Sequence, residues 1–375
     1  MRESRSRIVS GASAALLACL LVVWQLPAHG QAPARPGAKA PSTSAAVPRT
    51  ADGHPDLQGT YDLATMTPVE RPPVYGGRAS ISLEDARRLE AAAAARAERA
   101  LRPDRGDRSA PPIGGDGSTG AAGGVGGYNS FWIDPGDAFT VIDGQARTSI
   151  VVDPTSGRVP PLTPAARQRM STRGNQPTSD QAETSGGVGL ESAAGAYDDP
   201  ERRPLAERCL LGFGSTSGPP ALPDYFYNNL HQIVQTKDTV MILTEMNHDA
   251  RVVRMNGTHV ASSVRSWLGD SIGWWDGDTL VVETTNFTDK TRFRGSTDQL
   301  KVTERFSRID AATLRYRFTV DDAGTWGSAW TGEYTWPATE DLLYEYACHE
   351  ANYAMGNILR GARQRERDAK TGSGR

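Results

Sequence analysis

Three Asx-Gly dipeptides, each set between runs of alternating apolar and polar residues, constrain this chain more than any other feature. "AFTVIDGQARTSIVVD" turns at Asp143-Gly144, "RVVRMNGTHVASS" at Asn256-Gly257 and "IGWWDGDTLVVETTNF" at Asp276-Gly277. Such pairs accept the positive φ angles of a two-residue turn, so each string predicts an antiparallel hairpin. Downstream, "TLRYRFTV" places Leu314, Tyr316, Phe318 and Val320 on one face and Arg315, Arg317 and Thr319 on the other. "WTGEYTW" sets Trp330, Tyr334 and Trp336 against Thr331, Glu333 and Thr335 in the same way. A long open antiparallel sheet would leave exposed edges. The predicted fold is therefore all-β, an antiparallel meander curled into a lipocalin-like barrel and followed by a C-terminal helix, with a two-sheet sandwich as runner-up.

The rest of the chain frames that domain. Residues 1–30 carry three arginines, an apolar run from Ala12 to Leu26 and small residues at Ala28 and Gly30, the pattern of a cleaved secretory signal. The run is shorter than the roughly 20 residues of a spanning helix, so no membrane span is expected in a mature chain starting near Gln31. Cys19 after "LLA" hints at a lipoprotein box, but Leu20 to Trp24 stay apolar where a lipidated chain turns polar. Residues 31–50 read as a Pro/Ala/Ser tether. Residues 51–104 hold one Ala-rich helix opened by a Ser82/Asp85 capping pattern. Residues 105–127 form a Gly-rich linker whose GxGxxG (Gly115, Gly117, Gly120) follows no strand and opens no helix. The barrel is expected over 128–349 with a flexible loop at about 171–198, the helix over 350–368 and a disordered tail over 369–375.

A net charge of -3 gives no footprint for nucleic acid. Cleavage of the signal leaves two cysteines, Cys209 and Cys348, and in an oxidising compartment an even pair predicts a disulfide, the alternative being two buried thiols.

The strings "DGHPDLQGTYD", "DPTSGRVPPLTPAAR", "ERCLL", "MNHDARVVRMNG", "SWLGDSIGWWDGDTLVVETTNFTDKT" and "YEYACHEANYAM" resemble a large, functionally uncharacterised group of secreted proteins from environmental bacteria. The likeness covers the start and nearly everything from Tyr128 to Gly361. It implies secretion and a shared fold and brings no catalytic assignment. "DLQGTYD" has a weaker similarity to the opening strand of lipocalin-like barrels.

Candidate chemistry centres on "ILTEMNHDARVVRMNG". Glu245 follows an apolar run and needs a partner or a raised pKa. His248 and Asp249 sit at a predicted hairpin tip, where Asp249 could orient the imidazole, and Arg251 could stabilise negative charge. The same residues also make an ordinary turn. His349 and Glu350 lie where the last strand meets the helix, fixed by the predicted bridge, and are expected to rim the principal pocket together with Glu245–Arg251. Trp267, Trp274 and Trp330 are candidate ligand-binding aromatics, although Trp more often fills a core. Glu283, Glu304 and Glu333 sit mid-strand, read first as outward charges paired with Arg305 or Arg317 and second as groups converging in a lumen. No cofactor is predicted. His231, His248 and His349 show no H-x-H or HExxH spacing, and a metal held from distant segments stays an open alternative. "GSTSG" at Gly214–Gly218 has Thr216 where a nucleophile elbow needs serine. These residues together predict a secreted or periplasmic barrel that holds a small amphipathic molecule. Cofactor-free acid-base catalysis (hydrolase, lyase or isomerase), a non-catalytic carrier and an envelope module binding glycan or protein are the alternatives.

Overall fold

The computed structural model describes residues 47–100, 134–172, 197–212, 218–223, 227–291, 293–350 and 352–372. The expected signal, most of the tether, the Gly-rich linker and most of the 171–198 loop lie outside the described residues. In chain order the strands are β1 (Gly59–Asp62), β2 (Ser80–Ile81), β3 (Val141–Ile142), β4 (Gln145–Arg147), β5 (Val151–Asp153), β6 (Leu230–Gln235), β7 (Thr239–Thr244), β8 (Ala250–Met255), β9 (Asp270–Asp276), β10 (Thr279–Thr285), β11 (Lys301–Arg308), β12 (Thr313–Asp321) and β13 (Trp330–Thr339). The helices are α1 (Leu83–Ala100), α2 (Pro164–Thr172) and α3 (Tyr353–Thr371).

Strands β6 to β13 pair in chain order, and β1 pairs with both β6 and β13, which closes a nine-stranded barrel. The closing strand thus comes from the N-terminal "GTYD", with Tyr61 opposite His231 on one side and Ala338 on the other. β5 borders the first residues of β13, pairing Asp153 with Thr331 and Val151 with Gly332. Closure leaves the barrel without a continuous free edge, as the expected fold requires.

The three Asx-Gly dipeptides behave differently. Asp143 and Gly144 both have positive φ (52° and 73°) and join β3 to β4, but this hairpin belongs to a separate small sheet, β2-β4-β3. In the β9–β10 hairpin Asp276 pairs with Thr279, so the turn residues are Gly277-Asp278, one place later than expected. The hairpin expected at Asn256-Gly257 is absent. Asn256 takes φ of 52° and ends β8, but the chain then crosses along residues 257–269 and re-enters as β9 parallel to β8, pairing Val253 with Ser271. The physical reason is that "THVASSVRSWLG" lacks the alternation a return strand needs. The stretch is also long enough for the crossover of a dozen or so residues that a parallel pair demands.

Alternation along the wall puts one face of each strand into the barrel. Phe306, Tyr316, Phe318, Trp330, Tyr334, Trp336 and Tyr61 are all fully buried there. Gly332 is needed opposite Phe318, because a Cβ at that position would meet the Phe318 ring at 2.2 Å. A short segment, residues 218–223, reaches the same interior: the Ala221 N–H donates to Tyr316 Oη at 3.0 Å, and the Tyr334 hydroxyl donates to the Ala221 carbonyl at 3.0 Å. The two tyrosines replace the neighbouring strand that Ala221 lacks.

Outside the barrel, α1 opens as its capping pattern predicts, with the Asp85 N–H donating to Ser82 Oγ at 3.0 Å. α3 begins at an Asn352 cap and buries no residue completely. It is tied to the body by the Cys209–Cys348 disulfide, whose Cα atoms are 5.7 Å apart, and by Asn352 Nδ2 donating to the Glu207 carbonyl at 2.8 Å. The bridge closes a separation of 139 residues, which on the chain-entropy model stabilises the fold by up to about 5 kcal/mol.

Candidate functional site

The strongest polar constellation lies inside the barrel. Arg251 on β8 and Glu304 on β11 both turn inward, 5% and 0% exposed, and form a two-pronged ion pair with Nη2–Oε1 at 2.9 Å. The Tyr316 hydroxyl from β12 donates to Glu304 Oε1 at 2.8 Å. One carboxylate therefore accepts from a guanidinium fork and a phenol, and this dense bonding is what permits a charge at such depth. Burial, reinforced by the negative charge of Glu304, pushes the Tyr316 phenol well above its usual range, so it remains a donor at any physiological pH.

Beside this group His231 is buried between Thr244 and Asn229. Its Nδ1 lies 3.4 Å from the Asn229 carbonyl and its Nε2 lies 3.1 Å from Thr244 Oγ1. A carbonyl only accepts, so in this arrangement Nδ1 carries the proton and Nε2 accepts from the threonine. The His231 ring is 5.5 Å from that of Trp336, and Trp336 is 4.6 Å from Tyr316. The indole N–H groups of Trp330 and Trp336 are buried and have no acceptor among the described residues.

The residues singled out from sequence fall into three places. Arg251 is in the lumen, bound to Glu304 rather than poised in the turn. Glu245 is 5% exposed at the end of β7, and its Oε1 accepts the Tyr344 N–H at 3.1 Å. Asp249 Oδ2 accepts the Gly212 N–H at 3.3 Å. With the bridge from Cys209 to Cys348, these contacts gather the 245–249 turn, the 207–212 loop and the 344–348 strap at one end of the barrel. His248, His349 and Glu350 are exposed there. The tryptophans do not share a wall: Trp330 is buried against Phe293, Phe318 and Trp326, whereas Trp267 and Trp274 are 38% and 37% exposed.

Glu304 is a lumen group, against its first reading as an outward charge, because it pairs with Phe318 across the sheet and alternates with Val302 and Phe306. Glu283 and Glu333 lie on the outer wall as expected.

A polar cluster that sequence reasoning missed fastens the crossover to that wall. His259 Nδ1 is 2.8 Å from Asp270 Oδ2 and its Nε2 is 3.3 Å from Glu283 Oε1. Arg254 Nη2 binds both Asp270 oxygens at 2.7 and 2.9 Å, and Lys301 Nζ lies 3.5 Å from Glu283. Burial pushes the Asp270 carboxyl up, but the bonds from His259 and the Val260 N–H, with the Arg254 charge, outweigh it and hold the group below its usual range. The sequence signal was the loss of alternation after Gly257, which marks a strap and makes His259 a tether. Among the described residues no three His, Cys, Asp or Glu side chains are grouped to hold a metal ion.

Comparison with known proteins returns no matching family model, no matching curated protein and no matching solved structure.

Proposed function

We propose that the barrel binds one small amphipathic molecule, with Arg251, Glu304 and Tyr316 as its polar anchor and the surrounding aromatic rings as its apolar wall. The observation that carries this reading is the pair of buried indole donors, Trp330 and Trp336, which have no acceptor among the described residues and lie inside a wall of aromatic rings. A buried donor without a partner is costly, and a bound molecule's oxygen would remove that cost. Native mass spectrometry of protein purified without denaturant, paired with tryptophan fluorescence before and after solvent extraction, tests it. A single unliganded mass with unchanged emission after extraction defeats the proposal.

Acid-base chemistry on that molecule is the second reading. A carboxylate bonded to a phenol, and an imidazole beyond the Trp336 ring, all face the interior of one barrel, which supports it over a purely apolar carrier. In this reading His248, Asp249 and His349 at the strapped end would serve as the entry rim. The disulfide is consistent with an oxidising compartment, and no helix among the described residues is long and apolar enough to cross a membrane. The disulfide supports a secreted or periplasmic protein, and the arginine-then-apolar pattern of residues 1–30 supports cleavage near Gln31. The "GDTLVVETTNFTDKT" and "YEYACHEANYAM" strings support grouping it with the secreted bacterial proteins it resembles.

A further inference from the structure

Glu333 lies near the middle of β13 on the side facing away from the lumen, and its side chain is only 2% exposed. Its Oε2 accepts from Arg315 Nε at 3.0 Å and from Arg317 Nη1 at 3.2 Å, and its Oε1 accepts from Arg147 Nη2 at 3.3 Å. Arg315 and Arg317 are two residues apart on β12 and so share its outward face, while Arg147 ends β4 of the small sheet. Three guanidiniums thus converge on one carboxylate, an excess of two positive charges. Asp143, 3.7 Å from Arg315 Nη2 and 76% exposed, reduces that excess to one. The neighbouring Arg305 adds nothing, because Asp276 balances it at 2.6 Å.

The donors are also in excess. Each guanidinium carries about five N–H groups, and one carboxylate offers about four acceptor positions. Arg147 Nε is buried with no acceptor among the described residues. Arg315 and Arg317 remain 34% and 46% exposed, so their outer N–H groups face solvent while Glu333 fixes their inner ones. Holding a guanidinium in place before an anion arrives removes part of the entropy cost of binding. Arginine forks match the spacing of oxygens on phosphorus or sulfur, and such a group can bridge two forks about 7 Å apart on one strand face.

We propose that Arg147, Arg315 and Arg317 form a binding site for a phosphate- or sulfate-type oxyanion on the outer wall of the barrel, with Glu333 as the buried floor that orients the arginines. The site is separate from the lumen and stands whether or not the lumen binds a ligand. Isothermal calorimetry on the full chain with inorganic phosphate and with sulfate, against chloride at equal ionic strength, tests it. Saturable heat is expected for the two tetrahedral anions and none for chloride. Arg317→Gln removes one charge-assisted contact and should weaken phosphate affinity about tenfold. Arg305→Gln, on the same face but already paired, should leave affinity within about twofold. Equal responses to phosphate, sulfate and chloride would overturn the proposal, as would equal losses in the two variants, which would mean general surface charge.

Discussion

Glu304 and Glu333 are both mid-strand glutamates, both almost wholly buried and both bound by arginine, yet they lie on opposite sides of the barrel wall. Glu304 meets one arginine and one phenol in the lumen, with charges matched one to one. Glu333 meets three arginines that each keep part of their surface in water. Depth therefore says little about what a buried carboxylate does. What separates the two is whether the partner can still be solvated once the carboxylate is gone.

The largest expected effect follows from that contrast. Glu304→Gln removes the charge but keeps the shape, leaving the Arg251 guanidinium, 5% exposed, without a counter-ion. Breaking a buried pair from one side costs about 3–5 kcal/mol. Urea unfolding should show a loss of that order, and the double variant Glu304→Leu/Arg251→Met should recover most of it. A loss below about 1 kcal/mol for Glu304→Gln would mean that water reaches Arg251 and that the lumen is not dry.

Tyr316→Phe comes next. It leaves the Ala221 N–H without its acceptor and takes one donor from Glu304, so about 1–3 kcal/mol should be lost. Fluorescence and circular dichroism would separate this from a repacked core, since the ring itself remains. A neutral outcome would show that the 218–223 segment is not held by its tyrosines.

How far this contrast was legible in the sequence depends on what encodes each part. The outward position of Glu333 follows from its strand, where it alternates with Trp330, Tyr334 and Trp336. Glu304 could have been placed by the same rule, because Val302 and Phe306 share its face, but a charge on an apolar face invites an outward reading. The barrel and the C-terminal helix were legible because alternation and turn chemistry are local. Closure by β1, the parallel β8–β9 pair and the Ala221 insertion were not, because pairing between distant segments leaves no local period. Asn256-Gly257 shows the limit well: the dipeptide permits positive φ, and a strand exit uses that as readily as a hairpin does.

On the outer wall, Glu333→Gln should cost about 1 kcal/mol, less than its lumen counterpart, since Arg315 and Arg317 can turn to water. A cost equal to that of Glu304→Gln would erase the distinction between the two sites.

The smallest effect is the most specific, because it depends on acidity. Burial pushes the Glu333 carboxyl up, but the Arg315 bond and charge, with the charges of Arg317 and Arg147, outweigh it and leave the folded value below the ordinary one. A carboxyl whose folded value is depressed stabilises the fold above its unfolded value, about 4.3 for glutamate, and loses that contribution as pH falls through the folded value. Glutamine carries no charge to lose. The stability difference between wild type and Glu333→Gln should therefore be largest near neutrality and shrink as pH falls from about 5 to about 3. Asp270→Asn on the crossover strap should follow the same sign, since His259 and Arg254 hold that carboxyl low as well. Parallel curves for wild type and Glu333→Gln between pH 7 and 3 would mean that the three arginines do not favour the ionised carboxylate, and Glu333 would then lose its role as the charged floor that orients them.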